Sequence, residues 1–139
     1  MNVKKLSPIL VLMLLAVLAC DFQGCNPAAH KDDLHVTSVS VSPKSGSGQF
    51  NVTVSVKAQW VNTGHSLVCY IPVSGKKQTI HKLQFNIGYA VGYSSTRSFS
   101  FSYNVPGTHA VFCSVTPNNG GFPALSDQFT VTGSSSGTP

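Results

Sequence analysis

Four cysteines and five histidines, together with four aspartates and no glutamate, are the side chains of this 139-residue chain whose chemistry goes beyond packing. Cys20 and Cys25 stand five positions apart, where an apolar run stops and a polar stretch begins. Cys69 and Cys113 each lie inside an apolar stretch further along. A thiolate can attack an electrophile or bind a metal, and two thiols can pair. His30, His35, His65, His81 and His109 could ligate a metal or move protons, but they show no H-x-H or i, i+4 spacing. General acid/base work asks for paired carboxylates in a pocket, and only Asp127 falls within the stretch that reads as a folded domain. No G-x-S-x-G stands in the strand-to-helix context of a nucleophile elbow; the match at Gly133 to Gly137 falls in the Ser/Gly-rich tail. Gly75-Lys76 lacks the upstream glycine and the following Ser/Thr of a phosphate loop, and "PNNGG" offers amides where a calcium site wants carboxylates. These absences set the expectation of a non-enzymatic protein with no cofactor.

The elements that would position these groups begin with a leader. Lys4 and Lys5 precede a run, Ile9 to Ala19, in which every residue is apolar. A basic start, an apolar stretch and small residues at its end make a secretory signal. Spanning a bilayer takes about 18 or more apolar residues, and this run is shorter. Export makes disulfides accessible. Past residue 19, seven Lys and Arg stand against four Asp. Only Lys76-Lys77 sit together, with Lys82 nearby, which is not the basic stripe with interleaved aromatics of a nucleic-acid binder. Residues 20–34 are polar and read as a flexible tether, and the Ser/Gly-rich 133–139 as a flexible tail.

Between tether and tail the hydrophobic period is two. "FNVTVSVKAQW" puts Phe50, Val52, Val54, Val56, Ala58 and Trp60 on one face and polar residues on the other. That is the pattern of a half-buried antiparallel strand. "SFSFSYNV", "HAVFCSV" and "DQFTV" repeat it, and "VTSVSVS", "SLVCYIPV" and "TIHKLQFNI" do so more weakly. "PKSGSG", "NTG", "SGKK", "VPG" and "PNNGG" supply turns between them. About seven short strands over residues 35–132 predict an all-β, two-sheet antiparallel sandwich, with a barrel as the second choice. Cys69 and Cys113, both in strand context in an exported protein, are expected to form a disulfide; the alternative is two buried thiols.

Val17-Leu18-Ala19-Cys20 resembles the lipobox of bacterial lipoproteins, in which an aliphatic, a variable and a small residue precede an obligatory cysteine. The resemblance implies diacylglyceryl transfer to the Cys20 thiol, cleavage before Cys20, and a protein held through lipid at the outer face of a bacterial membrane or the cell surface. Cys25, preceded by Phe22-Gln23-Gly24, does not fit the motif. The competing reading is ordinary cleavage after Ala19, a Cys20–Cys25 disulfide and a secreted protein with two disulfides. A metal pair there would need two further ligands at matched spacing.

"FSYNVPGTHAVFCSVTPNNGGFPALSDQFTVTG", Phe101 to Gly133, resembles the C-terminal half of bacterial PKD-like and other immunoglobulin-like modules. There a strand leads into Pro-Gly, a Val-rich strand follows, then a Gly-containing turn and a last strand alternating Thr and Val. The upstream half departs from that pattern, with "HSLVCYIPVSGKK" where PKD domains carry their Trp-Asp-Phe-Gly-Asp-Gly signature. Trp60 precedes Cys69, whereas antibody-type domains place the tryptophan between their cysteines. The resemblance implies an immunoglobulin-like sandwich acting as a spacer, adhesion unit or accessory binder. One stretch, "NIGYAVGYSSTR", could recognise a protein or glycan ligand: Tyr89 and Tyr93 each follow a glycine, with Arg97 beyond. The same stretch also reads as a hairpin whose tyrosines pack on the sheet edge. The functional expectation is a surface binding, adhesion or structural module. The alternative is a small metal-handling or redox envelope protein using the histidines and Cys25.

Overall fold

Alternating burial builds each strand of this chain, and the strands close into two facing sheets. The computed structural model describes residues 30–62 and 64–133. Its strands are β1 (His35–Ser42), β2 (Ser45–Gly46), β3 (Gln49–Val61), β4 (Ser66–Val73), β5 (Lys76–Gln84), β6 (Ala90–Ser102), β7 (Gly107–Thr116) and β8 (Leu125–Val131). One sheet has the order β1-β3-β6 and the other β2-β8-β7-β4-β5. All pairs are antiparallel except β2–β8. This is the immunoglobulin-like arrangement: strands equivalent to A, B and E face G, F, C and C′, with no D strand among the described residues. The eighth strand, beyond the seven expected, is the two-residue β2, which lies inside the turn sequence "PKSGSG".

β3 shows why the period was readable. Phe50, Val52, Val54, Val56 and Ala58 are buried, and the residues between them face solvent. At its end the alternation slips: Val61 is fully buried, whereas Trp60 is half-buried. Val111, Cys113 and Val115 of β7, with Phe129 and Val131 of β8, fill the opposing face as their spacing predicts. The two sheets meet on a cluster of aromatic rings. Phe50 lies 4.6 Å from Phe129 and 5.6 Å from Phe101, centroid to centroid, and Phe101 meets Phe129 edge-on. Edge and offset contacts of this kind stabilise beyond the area they bury.

Two turns explain local sequence choices. β4 and β5 are joined by Ser74-Gly75, both at positive φ (50° and 77°), the geometry of a two-residue hairpin whose twist matches its strands. Between β7 and β8, Asn119 (φ 46°) and Gly120 (φ 61°) also turn left-handed.

The structure moves two boundaries. Leu34, in the stretch read as tether, is fully buried, and Asp32 and Asp33 bond the end of β3. The domain therefore begins before residue 35, because an apolar side chain and two acceptors at 32–34 complete the β3–β4 end of the sandwich. Second, β6 starts at Ala90, so most of "NIGYAVGYSSTR" is strand and not hairpin. Gly92 takes a positive φ of 65° inside it, and the ladder with β3 keeps one register on either side of it, Ala58↔Tyr93 and Trp60↔Val91.

Candidate functional site

Alternation along β6 sends Tyr93, Ser95, Arg97, Phe99 and Phe101 to one side of the strand. Phe101 reaches the core, and Phe99 stacks flat on His81 of β5 at 4.0 Å. Beyond that contact the two sheets open into a groove of about 580 Å³ between β6 and the β5–β6 connection. Tyr93 and Arg97 form one wall, and Leu83, Phe85 and Ile87 give the other its apolar part. The lining holds the Arg97 cation and no carboxylate. Of the three residues singled out in the sequence, the fold thus brings Tyr93 and Arg97 together. It places Tyr89 elsewhere, 46% exposed and stacked on Trp60 at 6.2 Å. A second depression of about 430 Å³, bordered by His35, Lys57 and Gly92, shares Tyr93 with the first.

Partial burial pushes the His81 pKa down, because the charged ring loses water. His35 stacks on Phe122 at 4.2 Å and bonds the Asp33 carbonyl through Nδ1. His109 bonds the Val105 carbonyl through Nε2 at 2.8 Å. Among the described residues no group of three or more His, Cys, Asp or Glu side chains is placed to hold a metal.

Cys69 and Cys113 form a disulfide. They sit directly opposite one another on neighbouring strands β4 and β7, with Cα atoms 4.2 Å apart. The bridge therefore lies within one sheet, whereas antibody domains tie their two sheets together. Cys20 and Cys25 lie outside the described residues.

Sequence reasoning missed two polar centres. The first is the buried His65, which donates from Nδ1 to the Thr116 carbonyl at 3.3 Å and bonds Asp32 through Nε2. Asp32 also accepts the backbone N–H groups of Leu34 (3.1 Å) and Asn62 (3.0 Å), while Asp33 accepts that of Trp60 (2.9 Å). Burial pushes the Asp32 pKa up, but the bonds from Asn62, His65 and Leu34 and the attraction of His65 outweigh it. The carboxylate is held below its usual range. The second centre is Asn119. Its Oδ1 accepts the N–H groups of Val36 (3.1 Å) and Val115 (2.9 Å), and its Nδ2 donates to the carbonyls of Phe122 and Pro123. Only the turn chemistry of "PNNGG" hinted at either, since partners up to 83 positions away leave no local pattern.

No protein-family model and no curated protein matches the chain. Among solved structures it is similar to a β-glucosidase from Listeria innocua in complex with glucose, at 17% identity and TM-score 0.45, over 72% of this chain and 16% of that one. It is also similar to the alkylpurine DNA glycosylase AlkC of Pseudomonas fluorescens, at 16% identity and TM-score 0.45, over 82% of this chain and 33% of that one. A superoxide reductase (neelaredoxin) from Ignicoccus hospitalis matches at 18% identity and TM-score 0.45, over 76% of this chain and 84% of that one. The chain spans less than a fifth of the length of the glucosidase. Likenesses this distant assign no activity.

Proposed function

We propose that the chain is a non-enzymatic envelope lipoprotein. In this reading, lipid on Cys20 anchors a short tether that presents the sandwich as a binding or adhesion module at the outer face of a bacterial membrane. The observation that carries the proposal is the position of Val17-Leu18-Ala19-Cys20 directly at the end of a basic-then-apolar leader. Asp32, whose side chain accepts the Asn62 N–H at the end of β3, comes twelve positions after Cys20. At full extension such a tether reaches roughly 40 Å, enough to hold a small domain clear of a lipid surface. The His65–Asp32 pair supports a structural use. The His65 ring is buried and both of its nitrogens are engaged, so it has no nitrogen left for a substrate.

Expression in a bacterial host with intact-mass analysis of the mature N-terminus tests the reading. The expected result is Cys20 as first residue carrying diacylglycerol, with Cys20→Ser leaving the membrane fraction. An unlipidated N-terminus with Cys20 bonded to Cys25 overturns it in favour of a secreted protein.

A further inference from the structure

The sandwich has four sheet edges, and three of them are guarded. On β1 the backbone N–H groups of Val36 and Val41 are capped by the side chains of Asn119 (3.1 Å) and Asp127 (2.7 Å). β2 is two residues long. β5 carries Lys76, Lys77 and Lys82 within nine residues. Side-chain plugs, shortness and lysines are the ordinary means by which natural sheets keep another strand from adding to an edge.

β6 has no plug and no lysine and is not short; the charge it carries faces inward. Its thirteen residues run from Ala90 to Ser102 without a proline, and its register with β3 is unbroken from Val61↔Ala90 to Gln49↔Ser102. Its only charge is Arg97. Among the described residues no strand lies on its other side, where an immunoglobulin-like fold would place strand D. Its outward-facing side chains are small, with Ser94, Thr96, Ser98, Ser100 and Ser102 in succession. Thr96, Ser98 and Ser100 are held flat by cross-strand bonds to Ser55, Thr53 and Asn51 (3.1, 3.0 and 2.6 Å). On the inner side, the same edge opens onto the groove walled by Tyr93, Arg97, Leu83, Phe85 and Ile87.

We infer that the β6 edge and this groove together form a strand-addition site for an extended segment of a partner protein. Main-chain hydrogen bonds to β6 supply the attraction, and alternate side chains enter the groove. Tyr93 and Arg97 are four residues apart, so the segment carries an apolar side chain facing Tyr93 and an acidic one facing Arg97, also four residues apart. Its remaining side chains are small and lie beside the serines. A second copy of β6 is the wrong partner. Ala90–Ser102 contains no acidic residue, and self-pairing would bring one Arg97 towards another. The proposal deepens the binding-module reading and rests on it, but it does not depend on the lipid anchor.

The test uses purified full-length chain and a synthetic peptide, Thr-Val-Thr-Val-Thr-Glu-Thr-Val-Thr-Val-Thr. This sequence reads alike in both directions and so fits a parallel or an antiparallel docking. Titration by fluorescence anisotropy should give saturable binding, at least tenfold weaker for a peptide N-methylated on both backbone edges. Arg97→Glu, which alters no buried side chain, should weaken the peptide by about fivefold, as expected for a partly exposed ion pair. It should favour the peptide with Lys in place of Glu. No saturable binding overturns the proposal, as does equal binding of the methylated peptide. Sedimentation showing a dimer that the peptide disperses also overturns it, since the edge would then belong to a second copy. Failure here with diacylglycerol present on Cys20 removes the strand-addition site alone. Failure of the lipid measurement leaves this titration standing.

Discussion

At the scale of single residues, one amide holds together more of this sandwich than its place in a turn suggests. Asn119 is buried and joins β1, β7 and the start of the following loop through four hydrogen bonds. It also adopts a left-handed backbone, φ 46°, which asparagine tolerates better than most residues. Asn119→Ala would strand two buried N–H groups, each costing on the order of 1–3 kcal/mol, so urea midpoints should report a loss of about 3 kcal/mol. Asn119→Asp keeps the acceptor for Val36 and Val115 but sets an oxygen against two carbonyls, so it should fall between alanine and wild type. The neighbouring glycine is fixed by space and by backbone together. A Cβ on Gly120 would lie 2.5 Å from the Asp33 carbonyl oxygen, at φ +61°. Gly120→Ala should therefore destabilise the domain and loosen the Asp32–Asp33 clamp, seen as faster amide exchange at Trp60 and Asn62. A midpoint unchanged by Gly120→Ala would show that this turn yields.

At the scale of elements, the disulfide reinforces a strand pair and leaves the contact between sheets to packing. It closes a loop of 44 residues, and on the chain-entropy model such a closure stabilises by about 4 kcal/mol. Cys69→Ala with Cys113→Ala should lower stability by about that much. Because the aromatic contact between the sheets stays intact, near-ultraviolet signals from the core should persist at low urea. Here the limits of sequence legibility are clearest. β3 and β7 were readable because each buries one face and exposes the other, and a pleated strand turns that into a period of two. β6 was half readable: Phe99 and Phe101 alternate with serines, but Gly92 and the serines ahead of them resemble a turn. What makes Ala90–Thr96 a strand is the ladder to β3, a contact about 30 to 40 residues away in sequence. For the same reason Tyr89, Tyr93 and Arg97 could be selected by type but not separated: only the register puts two in the groove and the third on Trp60. The tether boundary was missed because Asp32-Asp33 reads as solvated chain, whereas each carboxylate accepts backbone N–H groups from the β3 end.

At the scale of the whole molecule, charge and protonation decide where the fold is stable. The described residues contain three carboxylates, Asp32, Asp33 and Asp127, and each accepts at least one backbone N–H. Burial raises the Asp127 pKa, but bonds from Lys44 and from the Val41 and Gln128 N–H groups, together with the Lys44 charge, bring it below its usual range. Asp32 is lowered in the same sense. A carboxyl whose folded pKa lies below its unfolded one takes up its proton more readily when the chain is unfolded. Its stabilisation is complete above the ordinary 3.8 of a free aspartate and is lost as pH falls through the folded value. His81 is lowered by burial from an ordinary 6.5, so the unfolded chain again binds the proton first, and stability declines as pH falls below that point. Urea midpoints measured from pH 8 to pH 3 should therefore hold level to about pH 6.5, fall gently, and fall steeply below about pH 4. His81→Phe, which retains an aromatic face for Phe99, should remove the gentle limb and leave the steep one. Asp32→Asn with Asp127→Asn should start from a lower plateau and flatten the steep limb. If the doubly substituted protein lost stability below pH 4 as steeply as the parent, the acid sensitivity would lie in general charge repulsion and not in these two clamps.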